Sequence, residues 1–287
     1  AQLTINILNT ISSFNIYLTN SKLYVRKMAT RIIEYEKPKL RNPLFIEGLP
    51  GVGNVGRIAA GYLVEQLDAK KFAELFSSHF MPFVLLHESS AVHVLKNEFY
   101  YWKNEAGGSD IILFIGEDQP AAKGYELANC VLDVGLRFQV KRIYTCAAAL
   151  TRIHHAEEPR VWGVATSPEV REDLGKYDLL QRGNLQISGL NGLLLGVAKE
   201  RGIGGVCLLG EVPAYITRIQ NPMAALAVLR VLTTMLDLHI DMDELAQLAV
   251  ETKERMKQVA AEAMGEYIEY FTTPIWEQSE EEDEEEE

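Results

Sequence analysis

The sequence predicts an α/β fold built on a largely parallel sheet with helices on both faces, and three observations carry the prediction. First, Leu44–Leu67 reads as a buried strand, a glycine loop and a helix. Second, the same order returns from Ile111, from Ile143 and around Ser188–Gly192. Strands that alternate with helices pair in parallel, because each crossover brings the chain back to the same edge of the sheet. Third, 287 residues at 47% hydrophobic and 24% charged are enough for a substantial core.

Residues 1–27 stand apart. They hold no acidic side chain, are rich in Asn, Thr, Ser and Ile, and end in Lys22, Arg26 and Lys27 ahead of Met28. Their apolar residues are broken every few positions and no positive charge opens them, so a secretory signal fits poorly. We expect them to be an extension outside the native fold, with an α/β domain over 28–240, a C-terminal helix over 241–273 and a disordered acidic tail over 274–287.

The first unit places a loop, Leu49–Gly56, between the end of a strand and the start of a helix. That position favours negative charge, because the helix offers free N–H groups and the positive end of its dipole. Gly51, Gly53 and Gly56 match G-x-G-x-x-G. A dinucleotide site also asks for an acidic residue about 20 positions on. The candidate, Glu74, lies inside the apolar run Phe72–Phe76, and Pro50 stiffens the turn. A tight turn with close helix-to-sheet packing is the stronger reading.

Phe72–Ser77 and Phe83–His87 read as further strands. Ala91–Leu95 and Glu98–Trp102 then read as a hairpin about Lys96-Asn97. Its second arm is four aromatics, Phe99, Tyr100, Tyr101 and Trp102, and alternation sends two to each face. One pair serves the core and the other needs a second cover, so these four are candidate interaction residues. Ile111–Ile115 is a buried strand ending in Gly116-Glu117-Asp118-Gln119-Pro120, with a helix after it.

Ile143–Ala147 leads to a loop with Arg152, His154, His155, Glu157 and Glu158. These are metal-ligand types, yet adjacent histidines followed by Pro159 do not share a face as i and i+4 do, so a solvated loop is expected. Val161–Ala165 reads as a strand, Pro168–Leu174 as a short helix and Leu185–Ile187 as a strand. The loop Ser188-Gly189-Leu190-Asn191-Gly192 then feeds another helix, repeating the opening grammar. Gly51, Gly53, Asn54 and Gly56 with Ser188, Gly189 and Asn191 thus form a candidate anion or ligand site of two backbone rims. Val206–Leu209 is the last strand. Pro222 begins a helix through Leu238. Asp241, with Glu244 after it and Ile240 set against Leu245, begins another, striped by Leu245, Leu248, Thr252, Met256, Val259 and Ala263.

The formal net charge is −12, but residues 280–287 are all acidic and without them the chain carries −4. A near-neutral body with one block of charge argues against nucleic acid as a partner. No apolar run approaches 18 residues, which argues against a membrane span. Cys130, Cys146 and Cys207 are widely spaced in apolar patterns, so neither a disulfide framework nor a metal pair is expected, and a reducing cytoplasm fits. The crevice loops hold no nucleophile beside a histidine and no carboxylate–histidine cluster, so neither catalytic residues nor a cofactor are expected.

In order along the chain stand LPGVGNVG (49–56), NEFYYWKN (97–104), GEDQP (116–120), GYELA (124–128), YTCAAALTR (144–152), PRVWGVAT (159–166), ISGLNGLLLGVAKERGI (187–203) and CLLGEVPAY (207–215). Across residues 40 to 255 the chain resembles the proteasome assembly chaperone 2 family in its archaeal form. The resemblance implies a three-layer α/β/α sandwich related to phosphorylase-like folds, homo-oligomers, and binding of proteasome α-subunits without chemistry. It also implies a terminal hydrophobic-Tyr-X docking motif. This chain ends in four glutamates, and its similar triplets Glu266-Tyr267-Ile268 and Glu269-Tyr270-Phe271 are internal. Binding is therefore expected through the aromatic hairpin, through a paralogous chaperone that carries the motif, or to another client. The alternative is an enzyme or sensor that holds a phosphate or nucleoside ligand between the two glycine loops, with Glu117, Asp118 and Glu211 nearby.

Overall fold

The computed structural model describes residues 14–19, 22–27, 29–86, 92–181 and 186–272. Within 1–27, β1 (Phe14–Thr19) and β2 (Lys22–Lys27) pair antiparallel with each other and make a sheet of their own. The rest of 1–27 and all of 273–287, the expected acidic tail among them, lie outside the described residues.

The main sheet has eight strands. In chain order they are β3 (Thr30–Glu34), β4 (Leu44–Gly48), β5 (Lys70–Ser77), β8 (Asn97–Trp102), β9 (Ile111–Gly116), β10 (Arg142–Thr151), β11 (Val161–Ala165) and β12 (Gly204–Pro213), with the pair β6 (Val84–Leu86) and β7 (Val92–Val94) set apart. Across the sheet the order is β11-β12-β10-β4-β9-β8-β5-β3. The centre, β12-β10-β4-β9, is parallel. β11 at one edge and β8, β5 and β3 toward the other run antiparallel to their neighbours.

The parallel strands are continuous apolar runs because both their faces are covered. Odd and even positions divide between two cores. On one face Phe45, Ile112, Phe114 and Ile143 meet α2 (Gly124–Arg137) and α4 (Gly189–Glu200) through Leu127, Val131, Leu190 and Leu194. On the other, Ile46, Leu113, Cys146 and Leu208 meet α1 (Val55–Gln66), α3 (Pro168–Leu174) and α5 (Pro222–Leu236). α6 (Asp243–Thr272) lies outside α5, and among the described residues no helix is long and apolar enough to cross a membrane.

Three local expectations are corrected. The hairpin about Lys96-Asn97 does not form: β7 pairs with β6, while β8 lies between β9 and β5. Asn97 is no turn residue but fully buried. Its Oδ1 accepts from the Glu117 and Asp118 N–H groups at 3.0 and 3.3 Å, and its Nδ2 donates to the Asp118 carbonyl at 3.2 Å. Gln186 and Ile187 are irregular rather than strand, and Leu185 lies outside the described residues. Among the described side chains of α6, Leu245, Ala249 and Met256 are buried, while Leu248 and Val259 are exposed. At about 3.6 residues per turn Leu248 and Val259 fall on one flank of Leu245, and Met256 and Ala249 on the other, so the buried face is rotated toward Ala249 relative to the expected stripe. At the start of α6 Asp241 Oδ1 accepts from the Asp243 N–H at 2.8 Å, while the Ala246 N–H on the Met242 carbonyl closes the first turn one residue past the expected cap.

Candidate functional site

The two glycine loops meet at the C-terminal end of β4, between its neighbours β9 and β10. After β4 the chain makes a 3-10 turn over Val52–Asn54, with Gly53 and Asn54 both left-handed at φ 61° and 51°. Glycine suits that conformation because no Cβ opposes it, and asparagine tolerates it. The turn aims α1 at the sheet so closely that a Cβ on Gly56 would stand 2.0 Å from the Cys146 carbonyl oxygen. Gly53 serves a different contact. Its carbonyl accepts from the Asn221 N–H at 2.8 Å, and a Cβ there would lie 2.9 Å from the Asn221 Cβ. Asn221, fully buried, then caps α5 by accepting from the Ala224 N–H at 2.9 Å.

Across the gap, Ser188 precedes α4 and Gly189 takes φ 73°. Asn191 Nδ2 donates to the same Cys146 carbonyl at 3.3 Å, and its Oδ1 is buried without a partner. A crevice of about 110 Å³ lies between the loops, lined by Gly51, Gly56, Ser188, Gly189 and Asn191 with Gln119 and Ala147. Five of the seven predicted loop residues therefore come together. Gly53 turns to Asn221, and Asn54 lines a separate groove with Arg57.

The residue that joins the loops was not among those singled out. Gln119 Nε2 donates to the Pro50 carbonyl at 2.5 Å, and its Oε1 accepts from the Leu190 N–H at 2.7 Å. A Cβ on Gly189 would strike that Oε1 at 2.3 Å, so the glycine makes room for the clamp. The Leu190 amide that a bound anion would use is already engaged. The nearby acids are engaged as well. Glu117 accepts from Lys96 N–H and lies 2.6 Å from His93 Nε2, Asp118 accepts from Met81 N–H, and Glu211 accepts from Arg160 N–H.

Beside the crevice the sheet carries a polar interior. Glu47 is fully buried with both carboxylate oxygens unpartnered, and Thr145 Oγ1 beside it on β10 is unpartnered too. Burial raises the Glu47 carboxyl well above its usual range, because a charge there would be cut off from water. Burial also raises the Cys146 thiol well above its usual range and pushes Cys207 up to about 12. Neither thiol is a nucleophile in that state.

The aromatic strand divides as alternation requires. Phe99 is fully buried against Phe114 and Phe72, with ring centroids at 4.6 and 5.9 Å, and Tyr101 meets Phe72 at 6.1 Å. Phe99 is thus a core residue rather than a contact surface. Tyr100 and Trp102 face the other side and are half-buried against the second core. Trp102 lines an open groove of about 900 Å³ with Tyr144, Met235 and His239.

On the Tyr100 side of β3, β5 and β8 lies an ionic network that sequence spacing could not reveal, since its members sit on three segments. Lys71 Nζ reaches Glu74 at 2.7 Å and Glu98 at 2.9 Å, and Lys96 Nζ reaches them at 2.5 and 3.0 Å. Tyr35 Oη donates to Glu74 at 2.5 Å. Burial would raise the Glu74 carboxyl, but hydrogen bonds from Lys71, Lys96 and Tyr35 overcome it and bring it down to about 2. Glu74 is committed here and does not line the glycine crevice.

The loop after β10 is tied to its surroundings. His155 N–H donates to Tyr215 Oη at 2.9 Å, and Lys253 on α6 lies 3.1 Å from Glu158. Among the described residues no group of three or more His, Cys, Asp or Glu side chains could hold a metal ion.

Compared with known proteins, residues 45–260 match the model of the PAC2 family. The fold is similar to the crystal structure of Pyrococcus furiosus PbaB, an archaeal proteasome activator, with TM-score 0.76 and 38% identity, over 81% of this chain and 99% of that one. It is similar to Pyrococcus furiosus PbaA, an archaeal homolog of proteasome-assembly chaperone, with TM-score 0.63 and 27% identity, over 80% and 96% of the two chains. The uncharacterized protein MJ1210 of Methanocaldococcus jannaschii is 34% identical over 231 residues, or 79% of this chain and 86% of the relative.

Proposed function

This chain belongs to the PAC2 family, and on that premise we propose that it is a chaperone-like protein that binds proteasome α-subunits as a cytoplasmic homo-oligomer, without catalysing a reaction. The observation that carries the reading is similarity to PbaB, 38% identical over 99% of its chain. PbaA, with its assembly-chaperone homology, supports the same class. The Gln119 clamp adds to it, since the loops that would serve as an anion rim spend the Leu190 amide and the Pro50 carbonyl on the Gln119 side chain.

A second reading, a small ligand held in the glycine crevice, draws on one observation: Asn191 Oδ1 is buried at the crevice without a partner. Native mass spectrometry of the protein purified from its source separates the two. Co-purifying α-subunits, or a paralogous chaperone bound with them, support the first. A stoichiometric phosphate or nucleoside ligand with neither protein present contradicts it and favours the second.

A further inference from the structure

α4 runs for 12 residues from the rim of the glycine crevice, and the first N–H groups of a helix have no acceptor within it. Its N-cap, Ser188, makes no side-chain capping bond. Gln119 Oε1 takes the Leu190 N–H at 2.7 Å, so the N–H groups of Gly189 and Asn191, which line the crevice, are left to meet what enters it. Asn191 adds a second, independent demand. The residue is 5% exposed, and the bond from its Nδ2 to the Cys146 carbonyl fixes which way its amide faces. Its Oδ1 is therefore an acceptor held at the crevice with no donor to meet it.

Together these two features exclude most chemistries. The positive end of the helix dipole disfavours a cation. An anion brings only lone pairs to Asn191 Oδ1, and an apolar group leaves that oxygen buried and unpaired. A group that donates and accepts at once meets both. The clamp shows which group spans the gap: Gln119 reaches a carbonyl of one loop with its Nε2 and an amide of the other with its Oε1, so the rims stand one primary carboxamide apart. Size agrees. An apolar cavity of about 150 Å³ takes benzene, so the crevice's 110 Å³ holds a group of about four non-hydrogen atoms.

We propose that the crevice is a binding site for a primary carboxamide, seated beside Gln119 with its carbonyl toward the first N–H groups of α4 and its NH2 on Asn191 Oδ1. That chemistry has two sources, a small amide in solution and the end of an asparagine or glutamine side chain on a bound protein. The inference goes beyond the proposed function and does not rest on it.

Magnetic resonance of the full chain with acetamide, acetate or 2-propanol, probes of equal size, tests it. Acetamide should shift the backbone N–H signals of Gly189 and Asn191 saturably, with half-saturation at roughly 1–50 mM, a range open to so small a ligand. Acetate and 2-propanol should bind at least tenfold more weakly. Gly51→Leu should abolish the acetamide shifts while keeping a cooperative melt. Gly51 is extended and a Cβ there meets no atom nearer than 3.9 Å, so the new side chain fills the crevice without straining the turn. Asn191→Leu should weaken acetamide binding at least tenfold, and if that variant does not fold, Gly51→Leu decides. No saturable shift in the wild type, acetate or 2-propanol binding as tightly, or unchanged acetamide binding in Gly51→Leu overturns the inference. Capture of purified proteasome α-subunits separates the sources. Capture lost in Gly51→Leu and in excess acetamide assigns a side chain of the captured protein, and capture that survives both assigns a small amide. A wild type that captures no α-subunit counts against the chaperone reading alone, since the acetamide shifts score the site by themselves.

Discussion

The Cβ that Gly56 lacks would stand 2.0 Å from the carbonyl oxygen of Cys146, so α1 and β10 touch backbone to backbone. That approach sets the depth of the glycine loop and the size of the crevice beside it. It also separates the three loop glycines by what each one does. Gly51 is extended, at φ −176°, and a Cβ there would find nothing nearer than 3.9 Å.

Gly56→Ala is expected to cost about 3 kcal/mol or more, because a backbone carbonyl cannot yield to the added methyl without moving the helix. For a domain of this size that is a melting point lower by about 6 °C or more. Gly53→Val should also destabilise, through its positive φ and the contact with Asn221. Gly51→Ala should change stability by less than about 1 kcal/mol. Thermal melts of the three variants check the ranking. A destabilised Gly51→Ala beside a normal Gly56→Ala would reverse it.

Gln119→Ala should leave the Leu190 N–H and the Pro50 carbonyl without their partner and cost about 1–3 kcal/mol. Gln119→Glu keeps an acceptor for Leu190 but sets a carboxylate oxygen against the Pro50 carbonyl, so it should cost more than alanine at neutral pH. Calorimetry of both variants, with and without inorganic phosphate, reads the result. Phosphate that stabilises the wild type would show that the clamp opens for an anion.

Glu74 makes stability fall in acid. Its carboxyl is held at about 2 in the fold against 4.5 as the ordinary value, so the folded state gains from it above pH 4.5 and loses that gain as pH falls toward 2. The wild type should lose melting temperature over that window more steeply than Glu74→Gln. At neutral pH Glu74→Gln should be the less stable of the two, since Lys71 and Lys96 lose their shared partner. Parallel pH–melting curves would contradict the network's role.

Glu47 acts in the opposite direction. Burial raises its carboxyl above 4.5, so its protonated form favours the fold below that pH and the advantage is lost as pH rises. Glu47→Gln should therefore gain on the wild type steadily from pH 4.5 upward, whatever constant cost its buried amide adds. A stability difference that is flat with pH would show that Glu47 finds a partner for its charge.

What the sequence made legible was set by distance along the chain. Leu44–Leu67 could be read because strand, turn and helix periodicities are local, and the pairing of the two glycine loops followed from repeating that unit. The partner of β8 could not be read. Asn97 looks like a turn residue until its side chain is seen satisfying the backbone of Glu117 and Asp118, some twenty positions away. Gln119, Glu47 and the Lys71–Glu74–Lys96–Glu98 network were hidden for the same reason. Each is an ordinary residue in its own segment, and its burial and partners come from strands that only the sheet order brings together.

Sedimentation velocity of the full chain mixed with purified proteasome α-subunits tests the central claim most directly. The account predicts a complex heavier than either component at micromolar concentration, formed without nucleotide or metal and without turnover of any small molecule. Two components that sediment independently, with the chain folded and the α-subunits competent to form rings, would contradict it.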